Sequence, residues 1–187
     1  MALLEMRDAA FDVRGAEIVS PTTIALGEGE RLGYACSTER SAAIVAMMAA
    51  GIARPSSGSV FIGAFDPRIQ PVQVKRIAGY VPHEAVPHEF SSFARYVEYR
   101  AALWGLPRAQ TVVHARLLLE RLEGVHEAFA YPLVGALLAV PRLLVLDRPQ
   151  AAYAAQIVSA AGACALFSTH TSQRDAQRFL ERSMAAI

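Results

Sequence analysis

The order of apolar segments along the chain predicts an α/β fold. Alternating or unbroken apolar runs predict strands over residues 3–13, 22–26, 31–36, 60–62, 74–81, 143–146 and 164–167. Helical spacing predicts helices over residues 41–53, 133–140, 151–160 and 171–182, and two more between residues 91 and 122. Turn signals at residues 14–17 and at Ser20-Pro21 indicate that the first two strands form an antiparallel edge sheet. The later strands are expected to complete a mixed sheet through a βαβ crossover.

Composition limits the classes of function. The chain has 187 residues, of which 53% are hydrophobic, so one domain with a sizeable core is expected. Its 18 basic and 17 acidic residues leave a formal charge of +1, which predicts neither a nucleic-acid-binding face nor a polybasic membrane patch. Lys75 is the only lysine, and this scarcity bears on any phosphate-binding chemistry.

Export and membrane insertion are not expected from the sequence. Cys36 and Cys164 lie far apart in apolar surroundings, which favours buried free thiols and a reducing compartment. Charges at Glu5 and Arg7 interrupt any signal-peptide core. The most apolar stretch, residues 128–146, contains two prolines and an arginine, whereas a spanning helix needs about 20 predominantly apolar residues. The mean hydropathy of +0.28 is high, which suggests some apolar surface for a partner to cover.

Five segments, in order, carry a resemblance to the ATP-binding subunits of ABC transporters. They are residues 51–58 (after the phosphate-loop helix), 77–82 (before the Q-loop), 103–108 (helical subdomain), 143–149 (Walker B strand) and 167–170 (switch-histidine loop). The resemblance covers the whole chain. It implies one ABC ATPase domain over residues 1–187: an α/β, P-loop NTPase (RecA-like) core with an N-terminal antiparallel edge sheet and a reduced helical subdomain inserted at residues 91–131.

The segment in the phosphate-loop position lacks the residues that nucleotide binding requires. A P-loop needs glycines whose backbone N–H groups approach phosphate, a lysine for the β- and γ-phosphates, and a hydroxyl for Mg²⁺. Residues 33–43 read GYACSTERSAA, so the lysine position falls at Ser41 or Ala42. Glu39 would add a carboxylate beside the phosphates, although Arg40 could supply a positive charge. No nucleotide cofactor is therefore expected.

The positions that the resemblance assigns to hydrolysis are also altered. Asp147 matches the metal-organising aspartate of Walker B, but Arg148 follows it where the family has a water-polarising glutamate. His170 matches the switch histidine, and His83 stands where a glutamine senses the γ-phosphate. Asp147 is alternatively expected to cap the next segment or to pair with Arg148 or Arg142. His170 is alternatively a turn or helix-capping residue.

Two further elements of the family pattern are missing. The LSGGQ signature should lie between residues 122 and 134 and is absent there, and Val13 occupies the place of the adenine-stacking aromatic residue, with Phe11 nearby. A metal site at His83 and His88 is not expected, because they are five residues apart with a proline between them and cannot share one helical face. We therefore predict no catalytic residue, no metal and no enzyme activity.

The resemblance together with the missing motifs implies a non-catalytic (pseudo-ATPase) subunit with a structural or docking role in a multi-subunit, membrane-associated complex. The subunit is expected to be cytoplasmic and peripheral to the membrane. Its expected partners are a transmembrane permease-like protein, an active ABC ATPase homologue, or both. Two alternatives stay open: a weak or asymmetric ATPase in a heterodimer, and a repurposed soluble binding module. The family's groove for the membrane partner suggests a docking surface on the loop and helix after residue 82, with contacts at His83, His88, Tyr96 and Tyr99.

Overall fold

Two β-sheets and seven α-helices make up the part of the chain that the computed structural model describes, residues 2–83 and 92–185. In chain order the elements are β1 (Leu4–Val13), β2 (Ala16–Leu26), β3 (Arg31–Ala35), α1 (Glu39–Ala49), β4 (Ser57–Ile62), α2 (Pro71–Ile77), β5 (Ala78–Val81), α3 (Phe93–Trp104), α4 (Arg108–Arg121), α5 (Glu127–Leu137), β6 (Leu143–Asp147), α6 (Ala154–Ala161), β7 (Ala165–His170) and α7 (Gln173–Met184). A short 3-10 turn, Ala151–Tyr153, precedes α6. The α/β class predicted from the apolar pattern is confirmed.

The N-terminal sheet is antiparallel, with strand order β2-β1-β4. Arg14 and Gly15 connect β1 to β2 with φ angles of 53° and 81°, the left-handed conformations that suit a two-residue hairpin turn. The predicted second turn at Ser20-Pro21 is wrong, because β2 runs through both residues. Pro21 is tolerated there because β2 is an edge strand and its missing N–H does not break the sheet.

The second sheet is parallel, with strand order β3-β7-β6-β5. Strand β6 lies inside it and is buried on both faces, which explains its unbroken apolar run. Leu143 and Val145 point into a core shared with α1 and the antiparallel sheet. Leu144 and Leu146 point into a second core, formed with α3 to α7. The sheet predicted as mixed is thus two separate sheets.

The predicted strand over residues 74–81 is wrong in its first half, where α2 forms. Pro71 begins this helix, at a position where its fixed φ is favourable and its missing N–H costs nothing. Val74 and Ile77, three residues apart, bury the inner face. Only Ala78–Val81 is extended, and it pairs with β6.

Helices α3, α4 and α5 form a block on the face of the parallel sheet opposite α1. Their buried side chains, including Val97, Leu118 and Leu133, share one core with Leu144 and Leu146 of β6. The block overlaps the stretch 91–131 that was predicted as an inserted subdomain, and α5 continues past it; that domain boundary stays a prediction. Across residues 2–83 and 92–185, no helix has the length and apolarity needed to cross a bilayer.

Candidate functional site

The carboxyl ends of three parallel strands, β3, β7 and β6, lie beside one another. In open α/β sheets, ligands bind outside the carboxyl ends of the strands. Ala35 at the end of β3 pairs with His170 at the end of β7, and Asp147 at the end of β6 pairs with Thr169. The topology therefore brings together the phosphate-loop segment, the Walker B aspartate position and the switch-histidine position, as the family resemblance implies.

The connection from β3 to α1 is short, and its side chains accept hydrogen bonds from its own backbone N–H groups. Only Cys36, Ser37 and Thr38 separate the strand from the helix. The Thr38 hydroxyl accepts a hydrogen bond from the Ser41 backbone N–H at 3.0 Å, and the Ser41 hydroxyl accepts one from the Thr38 N–H at 3.1 Å. This capping box uses backbone donors that a phosphate would otherwise need.

The predicted lysine positions lie inside the first turn of α1. Ser41 is 5% exposed and Ala42 is fully buried, and the Ala42 N–H donates to the Thr38 carbonyl. The preceding Cys36 N–H donates to the His170 carbonyl at 2.7 Å. Glu39, at the helix N-terminus, already places a carboxylate in the favourable field of the helix dipole.

Arg148 binds the Asp147 carboxylate at both oxygens. Its Nε donates to Oδ1 at 2.9 Å and one terminal nitrogen donates to Oδ2 at 3.3 Å, while the Thr169 hydroxyl donates to Oδ1 at 3.3 Å. The Asp147 side chain is 4% exposed and that of Arg148 is 15% exposed. Of the two predicted partners for Asp147, Arg148 is the observed one, and Arg142 pairs with Glu28 instead.

The same arginine also contacts the start of α1, the end of β7 and the segment after β5. Its second terminal nitrogen lies 3.1 Å from Glu39 Oε2. Its backbone N–H donates to the Thr169 carbonyl, and its own carbonyl lies 3.1 Å from His83 Nδ1. Arg148 adopts a left-handed φ of 49°, which turns its side chain back over Asp147. The hydrogen bond to Asp147 is the main cause that raises the Arg148 pKa, so the guanidinium stays charged.

His170 is a buried neutral residue. It is 3% exposed, its Nε2 lies 2.9 Å from the Ser168 hydroxyl, and its ring packs on Phe179. Burial lowers its pKa from 6.5 to about 4, and Asp175 opposes this shift only partly. The predicted helix-capping role is wrong, because Ser172 caps α7 by accepting from the Asp175 N–H.

A cavity of about 250 Å³ opens at this edge. Its charged lining residues are Glu39, Asp175 and Arg148, and His83 and His170 also border it. The volume lies below the usual range of small-molecule sites, roughly 300–1,000 Å³. Since Arg148 is already paired and two carboxylates face the space, the cavity does not favour a polyanion.

The residues predicted to contact a partner are only partly brought together. Tyr96 is 7% exposed and packs against the Tyr131 ring and over Gly135, where a Cβ atom would clash with its hydroxyl. Its buried ring cannot serve as a surface anchor, so that prediction is corrected. Tyr99 is 49% exposed and His83 is exposed. His88 lies outside the described residues.

Several features of the site went unpredicted. The Thr38–Ser41 capping box and the contact between His83 and the Arg148 carbonyl were not anticipated. The sequence does indicate the capping box, because a Ser or Thr before a helix commonly caps it and Thr38 is followed three residues later by the hydroxyl of Ser41. The described residues contain no group of three or more His, Cys, Asp or Glu side chains arranged to hold a metal ion.

Comparison with protein-family models and with curated proteins gives no match. Solved structures do match. One is the ATP binding subunit of an ABC transporter, with a TM-score of 0.72 and 20% identity over 93% of this chain and 83% of that chain. Another is cbiO1 from Clostridium perfringens, part of the ABC transporter complex cbiONQ, with a TM-score of 0.70 and 17% identity over 90% and 78%. The chain therefore has the fold of ABC transporter ATP-binding subunits, which confirms the predicted resemblance at the level of the fold.

Proposed function

We propose that this chain is a non-catalytic, ABC-ATPase-like subunit with a structural or docking role in a multi-subunit, membrane-associated complex. The observation that carries the proposal is the ion pair in which Arg148 binds both oxygens of Asp147. In the family, this carboxylate position organises the metal ion. A divalent cation would have to displace the Arg148 guanidinium from Asp147. The largely buried guanidinium would then lack a partner for its charge, which carries a large desolvation cost.

The short connection before α1 supports the same proposal. A phosphate nest needs consecutive backbone N–H groups that point outward from a glycine-rich loop. Here the corresponding residues form a helical turn, with the Ser41 N–H bound by Thr38 and the Ala42 N–H bound by the Thr38 carbonyl. The Glu39 carboxylate, close to this turn, adds repulsion toward a triphosphate.

We predict no ATP or GTP hydrolysis above background by the purified chain. Hydrolysis needs a positioned metal and a water-orienting group, and groups that act as a unit do not recover one at a time. A steady-state phosphate-release assay tests this, with Arg148→Glu as the variant that supplies the missing carboxylate. Neither protein is expected to turn over.

Turnover that Asp147→Asn abolished would contradict the pseudo-ATPase proposal. Equilibrium binding of a nucleotide analogue separates the main alternative, because only an asymmetric ATPase of a heterodimer requires nucleotide affinity without independent turnover. The matched control is Asp175→Asn, which removes an exposed carboxylate that lines the cavity without touching the pair of Arg148 and Asp147.

The proposed partner is a permease-like membrane protein or an active ABC ATPase homologue, reached from the cytoplasmic side. The similar cbiO1 is part of an ABC transporter complex, which supports a partner of this kind. On this chain we place the docking contact at Tyr99 and His83, and at His88 beyond the described residues. Tyr99 lies on the exposed side of α3, where a phenol can bury its ring against a partner and keep its hydroxyl wet.

Tyr99→Ala is expected to reduce the recovery of co-purifying chains when the protein is isolated from its native host. Because Tyr99 is half exposed, the free energy of unfolding should change by less than about 1 kcal/mol. Val113→Ala on α4 is the matched control, because Val113 is 60% exposed, and this variant should recover the partner normally. Equal recovery with both variants would remove Tyr99 from the docking surface.

A further inference from the structure

A second surface of the chain combines exposed aliphatic side chains with basic ones. It consists of the loop after α1, the segment before α2 and the outer side of α2, and we call it the basic-aliphatic face. Its members are Ile52, Arg54, Ile69, Val72, Lys75 and Arg76. None of them takes part in the site at the strand ends.

The segments of this face lie side by side. A Cβ atom at Gly51 would come within 2.7 Å of Val74 Cγ1 and 3.2 Å of Pro67 Cβ, so the loop after α1 rests on α2 and on the segment before it. The hydrogen bond from Arg68 and, to a smaller extent, the charge of Arg54 lower the Asp66 pKa, which places both arginines near that carboxylate.

One side of helix α2 is buried and the opposite side is exposed. Val74 and Ile77 are buried against the core. Val72, Lys75 and Arg76 are three and four residues apart and therefore share the opposite, exposed side. The helix thus presents one aliphatic and two basic side chains together to solvent.

The aliphatic members of this face are more than half exposed to solvent. Ile69 is 77% exposed, Val72 is 59% exposed and Ile52 is 58% exposed. Between residues 50 and 80 the sequence has one acidic residue, Asp66, which Arg68 binds at 2.7 Å. The near-neutral charge of the whole chain therefore conceals a segment, residues 50–80, that has four basic residues and one acidic residue.

We propose that the basic-aliphatic face adsorbs to the anionic surface of a lipid bilayer. Basic side chains are attracted to anionic headgroups, and neighbouring aliphatic side chains enter the boundary with the acyl chains. Nucleic acid fits less well, because single-stranded bases stack on aromatic side chains and this face has none. The contact is peripheral and adds to any attachment through a protein partner, so it stands whether or not the proposed function holds.

Co-sedimentation of the full chain with vesicles tests the proposal. Binding is expected to equimolar phosphatidylcholine and phosphatidylserine, to be far weaker with phosphatidylcholine alone, and to fall as salt is added. Lys75→Gln with Arg76→Gln should lower the partition coefficient by about 30-fold, since each basic residue contributes about a factor of five. Ile69→Ser with Val72→Ser should lower it by at least about tenfold, through lost apolar contact.

Two matched double variants serve as controls. Arg174→Gln with Arg178→Gln removes two exposed charges from α7, and Val113→Ser with Leu117→Ser removes two exposed aliphatic side chains from α4. Both should bind vesicles as the unchanged chain does. Equal binding to neutral and anionic vesicles, or equal losses in the controls, would overturn the proposal. Tighter binding to RNA or duplex DNA that depends on Lys75 and Arg76 but not on Ile69 and Val72 would also overturn it.

Discussion

Arg148→Met is expected to lower the free energy of unfolding by about 3–5 kcal/mol, the usual cost of removing one partner from a buried ion pair. Methionine keeps much of the aliphatic volume of arginine but removes both arginine contacts from the Asp147 carboxylate, which is 4% exposed. Among the described residues, this carboxylate then keeps one side-chain hydrogen bond, at 3.3 Å from Thr169. Denaturation by urea, monitored by circular dichroism at neutral pH, measures the loss.

Arg68→Met is the matched control for this change. Arg68 also binds a carboxylate with two nitrogens, but its side chain is 50% exposed, so its loss should cost at most about 1 kcal/mol. Adding Asp147→Asn removes the orphaned charge, so Arg148→Met should cost much less on that background, as a double-mutant cycle would reveal. Similar small losses for Arg148→Met and Arg68→Met would show that the pair contributes little.

Acidification from pH 7 toward pH 4 is expected to destabilise the fold by about 3 kcal/mol through His170 alone. Its pKa falls from 6.5 in the unfolded chain to about 4 in the folded one, because burial disfavours the charged ring. In this interval the unfolded chain binds a proton that the folded chain does not, so stability rises with pH. The contribution is fully present above pH 6.5 and is lost as the pH falls toward 4.

His170→Gln should flatten the pH dependence of the urea midpoint within this window, because glutamine does not titrate and can still meet the Ser168 hydroxyl. An unaltered slope in His170→Gln would mean that other groups carry the acid sensitivity.

The fold could be predicted from the sequence because buried parallel strands leave a strong signal. The unbroken apolar run of β6 and the segment order around it were sufficient, and the comparison with solved structures confirms them. The errors occurred where local signals compete. Val74 and Ile77 suit a strand by residue type, but Pro71 and their spacing favour a helix. Ser20-Pro21 is a turn signal that an edge strand overrides.

The site was less predictable, because its contacts depend on conformations that residue types do not encode. The sequence offered Arg148 as one partner of Asp147 but could not select it over Arg142, because neighbours point apart in a regular strand, and these two meet where Arg148 follows the strand with a positive φ. The burial of Tyr96 depends on how α3 is rotated against α5, which one sequence does not specify. Asp147, Arg148, His170 and Ser41 nevertheless converge near one edge, as the topology of the family implies.

If phosphate binding is absent as proposed, the capped first turn of α1 makes its introduction costly at every step. A glycine placed in the first helical turn destabilises it by roughly 0.5–1 kcal/mol, and replacing the Thr38 cap costs about 1 kcal/mol more. Each such change weakens the helix that packs on β6 and β7, whereas under the proposed function a phosphate nest requires the whole turn to be unwound and Glu39 to be replaced. Single substitutions toward a nucleotide loop are therefore penalised without any gain in binding, so an engineered nucleotide site in this scaffold has to be installed as one replaced segment.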